Sequence, residues 1–324
     1  MPSVSTLLKG LFALAPLAAA APANYARQAS SSASAASASA SATQAAASAS
    51  AVAPAPAAAS GGLSDIDILN FALTAEHLES TFYQQGFAKF SVQDFTALGL
   101  SEAQVKSLMG VGQTEATHVS TLISAIATAG GKPVEACTYN FDAALTSADT
   151  MVKTARVLEA VGVSAYLGAA PLVNSSDVLA AAGSIVTVEA RHQAFIRIAA
   201  GAEPVPAAFD TALGPRAVFT LAAQFITSCP EGSNLNIQAF PAISLQNPEQ
   251  ATVGQALTLA DPSQPAGASF CAFVAPGGNQ FVPIANGGCM VPQNLAGEVY
   301  MMLTKSQSVV DTEVLAGPSV IQPS

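Results

Sequence analysis

Residues 108–125 read LMGVGQTEATHVSTLISA, and residues 185–199 read IVTVEARHQAFIRIA. In the first segment Leu108, Val111, Glu115, His118, Leu122 and Ala125 recur at spacings of three and four, which is one face of an α-helix. Ala182, just before the second, and Ile185, Glu189, His192, Ile196 and Ala199 within it repeat that rhythm. The same period runs through Ile66, Leu69, Leu73, Glu76, Ser80 and Tyr83, and through Val152, Ala155, Glu159, Val163 and Tyr166. Four long amphipathic helices predict a bundle. Their ends carry the expected signals. Ser64 with Asp67 and Ser101 with Gln104 resemble capping boxes, while Gly130, Gly131 and Pro133 stop the second helix and Pro171 the third. The fourth is capped within Asn174 to Ser176 and ends at Gly201, and a shorter fifth helix begins at Pro215 and runs to about Ile226.

The informative residues interrupt the apolar stripes. Glu76, Glu115, Glu159 and Glu189 each stand in an inward row, and His118 and His192 follow two of them at i+3, on the same helical face. Buried carboxylates are costly unpaired and repel one another when they converge, whereas divalent cations would neutralise them and take their oxygens as ligands. Glu79 competes with Glu76 for the first-helix position, since Ile68, Ala72, Ala75 and Phe82 form a second inward row around it. His77 lies off the Glu76 face and reads as a surface or helix-packing residue; Arg191 and Arg197 read as solvated or salt-bridged.

The order Glu, Glu-x-x-His, Glu, Glu-x-x-His over four helices resembles the ferritin-like di-iron carboxylate superfamily. That resemblance implies Glu76, Glu115, His118, Glu159, Glu189 and His192 as ligands of two iron or manganese ions. Tyr83 and Tyr166, each seven residues after a lone ligand Glu, are candidate catalytic residues, though as core aromatics they need only a partner for the hydroxyl. The Glu, Tyr, Glu-x-x-His half-pattern occurs twice, as an internal duplication would leave it. More narrowly, the segment Asn70 to Tyr83, an Ala/Ser tract and an export signal are similar to fungal secreted ferritin-like proteins, a family associated with stress response and late sexual development. The implied activity is oxidoreduction of dioxygen, peroxide or ferrous iron. A non-catalytic cell-wall or matrix glycoprotein, with the bundle as scaffold and wall polysaccharide or protein as partner, is the alternative.

The rest of the chain fits an exported protein. Residues 1–21, with Lys9, an apolar run from Gly10 to Ala20 and small residues at Ala19 to Ala21, have the layout of a signal peptide. Residues 22–62, largely Ala and Ser with Pro54 and Pro56, offer nothing to bury and read as a disordered tether. The bundle is expected over 63–230 and a β-rich domain over 236–324, an α+β multidomain architecture. Short runs such as Phe240 to Leu245, Ala256 to Leu259, Phe270 to Val274, Gln280 to Ile284, Val299 to Thr304 and Val309 to Val314 predict a small antiparallel β-sandwich of immunoglobulin-like type, with a hairpin turn in Pro276 to Asn279. Four cysteines without a Cys-x-x-Cys pair suit two disulfides, Cys137 with Cys229 and Cys271 with Cys289 being favoured because each closes a loop within one folding unit. Asn174 heads an Asn-Ser-Ser sequon. A formal charge of −10 argues against a nucleic-acid partner, and no segment after the N-terminus reads as a membrane span. Nothing resembles a nucleophile elbow, a phosphate-binding loop or a dinucleotide fingerprint.

Overall fold

The computed structural model describes residues 63–246, 251–261 and 265–323. The expected signal peptide and tether lie outside them. Six helices come first: α1 (Asp65–Lys89), α2 (Val92–Thr96), α3 (Glu102–Thr128), α4 (Ala148–Ala169), α5 (Ser176–Ala199) and α6 (Pro215–Ala223). Both capping boxes form, Ser64 with Asp67 on α1 and Ser101 with Gln104 on α3. Ser175 caps α5, and Pro171 falls in a 3₁₀ turn, Ala170–Leu172, that ends α4. The short α2 had no sequence expectation. Its five residues turn the chain between α1 and α3, and Phe95 pins it to the core.

Helix α1 packs chiefly on α3 and α4 on α5, so the bundle is two helical hairpins joined by a long crossover, residues 129–147. Strands β1 (Thr138–Tyr139) in that crossover and β2 (Ile226–Ser228) after α6 pair antiparallel. This pairing brings Cys137 to Cys229, which are bonded. The expectation that α6 runs to Ile226 is corrected here: the helix stops at Ala223, because Ile226 enters the ladder with Tyr139.

The C-terminal strands are β3 (Ala256–Thr258), β4 (Phe270–Ala275), β5 (Gly278–Pro283), β6 (Gly288–Met290), β7 (Val299–Thr304) and β8 (Val314–Ile321). They form an antiparallel four-stranded sheet, β5-β4-β7-β8, and a two-stranded β3-β6 sheet. The β4–β5 hairpin turns on Pro276 and Gly277, the glycine supplying a φ of 88° where a side chain would be strained. Cys271 and Cys289 are bonded, tying β4 to β6. Two expected strands are corrected. Residues 240–244 enter no strand, Pro241 having no N–H to donate; its carbonyl instead accepts from Gly317 N, Phe240 N donates to Thr220 Oγ1, and Leu245 makes only an isolated antiparallel bridge to Leu259. Residues 309–313 form turns closed by Val310 O, so β8 starts at Val314.

Alternation along the central strands decides how the two regions meet. Ala272, Val274, Tyr300 and Met302 face the bundle with Val161, Ala165, Val218 and Leu221, whereas Cys271, Phe273, Met301 and Leu303 face a second core with Leu257 and Val291. The central strands β4 and β7 are thus buried on both faces. Tyr300 fastens it to α4: its hydroxyl donates to Ala160 O at 3.0 Å and lies 2.9 Å from Ser164 Oγ. Beside it, Arg197 donates to both oxygens of Glu298 and Arg156 Nε lies 3.1 Å from Glu298 Oε1, a buried ion cluster joining α4 and α5 to the residue before β7.

Candidate metal centre

The carboxylates that interrupt the four stripes meet at the bundle axis. Glu76 on α1, Glu115 on α3, Glu159 on α4 and Glu189 on α5 are each 0% exposed, and His118 and His192 lie beside them at 7% and 8%. Two groups of ligand atoms result: Glu76, Glu115, His118 and Glu189, and Glu115, Glu159, Glu189 and His192, the atoms within each group lying within 4.8 Å of one another. Glu115 and Glu189 belong to both. The two oxygens of Glu115 divide between them, Oε2 at 3.2 Å from His118 Nδ1 and Oε1 at 2.7 Å from His192 Nδ1. Glu76 Oε2 and Glu189 Oε1 complete the surroundings of His118 Nδ1 at 3.2 and 3.0 Å, and Glu159 Oε2 lies 3.4 Å from His192 Nδ1.

Each tyrosine serves the lone glutamate of the other half. Tyr83 donates to Glu159 Oε1 and Tyr166 to Glu76 Oε1, both at 2.5 Å. One oxygen of each glutamate is thereby fixed and the other is left facing inward. Both phenols are buried, and burial, with the adjacent carboxylates, pushes their pKa upward, so they stay protonated donors.

Glu76 and Glu79 both turn inward, so the sequence alternatives are both buried, with different roles. Glu76 supplies an atom to the first ligand group; Glu79, 3% exposed, lies beside it. Its space comes from Gly162: a Cβ there would lie 3.0 Å from Glu79 Oε1 and 2.9 Å from Glu189 Oε2. Gly162 follows Glu159 by three residues, just as Glu79 follows Glu76. One half of the duplicated pattern therefore contributes an additional carboxylate and the other the glycine that admits it. The sequence reading missed Gly162, although that correspondence was its available signal.

Five buried carboxylates against two imidazoles is an unbalanced set. Burial, then repulsion from the other glutamates, raises Glu79 and Glu189 well above the usual carboxylate range. Burial would raise Glu115 too, but His118 and His192 hold it down; burial would lower both histidines, but the surrounding glutamates hold them up. Even at these short separations, Glu115 Oε1, Glu159 Oε2, both oxygens of Glu189 and His192 Nδ1 make no hydrogen bond of acceptable geometry. Such orphaned buried acceptors, converging with imidazole nitrogens, are a donor set compatible with divalent metal ions.

The other sequence candidates fall outside the centre. His77 is half-buried and packs between elements, Nε2 lying 3.1 Å from Val134 O. Arg191 is exposed and Arg197 is in the Glu298 cluster. Asn174 is exposed on the α4–α5 connection. No described helix is long and apolar enough to cross a membrane.

Residues 64–202 match the family model of the ferritin-like domain. Protein rds1 of Schizosaccharomyces pombe is 29% identical over 187 residues, covering 57% of this chain and 45% of that protein. The chain thus matches a little under half of that relative's length.

Proposed function

We propose, from the premise that residues 64–202 form a ferritin-like domain, that the chain is an exported di-metal carboxylate oxidoreductase. The observation that supports this most is the division of Glu115, one oxygen toward His118 and the other toward His192, with Glu189 common to both ligand groups. Glu76 and His118 would hold one ion, Glu159 and His192 the other, and Glu115 and Glu189 would be shared. Two iron or manganese ions would supply one-electron steps and a Lewis-acid site for dioxygen, peroxide or ferrous iron. The chain's own residues do the rest. Tyr83 and Tyr166 orient Glu159 and Glu76, fix one oxygen of each and hold a proton beside the centre. Phe82 and Phe87, against Tyr83, exclude water from that side. Two disulfides agree with an oxidising, extracellular destination.

Metal content of the secreted protein, produced with iron and manganese supplied and purified without an affinity metal, tests the reading. We expect about two equivalents per chain, about one in Glu76→Ala or Glu159→Ala, and almost none in Glu115→Ala. Less than about 0.2 equivalents after reloading refutes it and leaves the bundle as the scaffold of a wall or matrix glycoprotein.

A further inference from the structure

The duplicated pattern lets each end of the centre be compared with the other. Residue i of α1 corresponds to i+83 on α4, as Glu76 to Glu159 and Tyr83 to Tyr166; residue j of α3 corresponds to j+74 on α5, as His118 to His192. At the Tyr83 end the space is filled. Phe82 meets the Tyr83 ring edge-on, Phe87 stacks on it at 5.8 Å, and Leu108 and the half-buried Phe195 belong to the same core. At the Tyr166 end the corresponding residues are Ala165, Ala170, Ala182 and Thr121. All four line a cavity of about 290 Å³ that reaches inward to His118 and Tyr166. Its walls are otherwise apolar, Phe71 among them, except for the exposed Ser184 on α5 and the half-buried Thr121 on α3.

We propose that this cavity is a binding site for an unbranched aliphatic molecule, inserted methyl end first from between α3 and α5 and ending beside His118 and Tyr166. An apolar cavity of about 150 Å³ stays dry and accepts benzene, six carbons, so one twice that size accommodates roughly ten to twelve. Water is a poor occupant, because a buried water needs two to four polar partners and Tyr166 already spends its proton on Glu76. Polar lining at the mouth, Ser184 and Thr121, suits a head group there and hydrocarbon within. Loss of bulk at four corresponding positions, at one end only, makes the space a property of the sequence rather than a packing defect. Calling the bound chain a substrate rests on the metal-centre reading; its binding does not.

The test is calorimetric titration of the full secreted chain with 1-decanol, before and after metal removal, alongside Ala165→Phe and Ala182→Leu, which install the residues of the filled end. Saturable binding of one decanol per chain is expected in both metal states, weakened at least about tenfold in each variant. Ala182→Leu is the smaller change and serves if Ala165→Phe does not fold. Absence of saturable binding by the wild-type chain, or equal binding by Ala182→Leu, overturns the proposal. Decanol binding by a chain that takes up no metal would leave the cavity assignment standing while refuting the oxidoreductase.

Discussion

Gly162→Ala tests the centre through one methyl group. The new Cβ would lie 2.9 Å from Glu189 Oε2 and 3.0 Å from Glu79 Oε1, against an ordinary contact of 3.4 Å, so one or both carboxylates must retreat by about half an ångström. Two energies oppose each other. Replacing glycine by alanine inside a helix favours folding by about 1 kcal/mol, while forcing a methyl into a packed core costs about 1–3 kcal/mol. The net is a loss of about 0–2 kcal/mol, and at about 2–4 °C per kcal/mol for a domain of this size the melting temperature falls by at most about 8 °C. Metal affinity should fall further, on the order of 10–100-fold, because Glu189 is shared by both ligand groups and loses its position. Gly183→Ala is the internal control: it lies in α5 with nothing within 4 Å of the added Cβ, and should raise the melting temperature by about 1–4 °C without altering metal affinity. Calorimetric melting and competitive metal titration of both variants read the result. Unchanged metal affinity in Gly162→Ala would refute the assignment of Glu189 as a ligand packed on this glycine.

The metal-free protein should lose stability as pH rises from about 5 to 9. Glu79 and Glu189 hold protons in the fold that the unfolded chain releases above about 4.5, and the stabilisation from protonated His118 and His192, complete below about 6.5, is lost as pH climbs toward their raised values. Urea midpoints at pH 5, 7 and 9 measure the slope; a rise with pH contradicts the directions assigned, and bound metal should flatten it. Replacing Cys137 and Cys229 by Ser opens a loop of 92 residues and should cost about 4–5 kcal/mol, against about 3 kcal/mol for the 18-residue loop of Cys271 and Cys289. Equal losses in chemical denaturation would show that loop closure does not set the difference. Glu298→Ala strips Arg156 and Arg197 of their shared partner and should cost about 3–5 kcal/mol; a loss under about 1 kcal/mol would mean that solvent reaches the cluster.

How much of this was legible in the sequence depends on whether a signal is local. A glutamate in an apolar stripe is visible within four turns of its own helix, and Glu115, Glu159 and Glu189 stand out individually. Glu76 and Glu79 could not be separated, because residues three apart share a face and either could point to the axis. Their actual arrangement depends on Gly162, eighty-three residues past Glu79, whose meaning appears only when the two halves are laid over each other. Strand β7 shows the opposite failure. All six of its residues are buried, so it reads as an apolar run with no preferred face, and nothing within it says that Tyr300 and Met302 will meet helices while Met301 and Leu303 meet a sheet. Residues 240–245 misled because their apolar composition suited a strand while Pro241 removed a ladder donor. The cavity at Tyr166 combines both lessons. Ala165 or Ala182 alone is an unremarked small residue in a helix, yet each stands where the other half carries Phe82 or Leu108. Position by position, the two occurrences of the pattern separate residues that build the fold in both halves from those that open or shape one end of its centre.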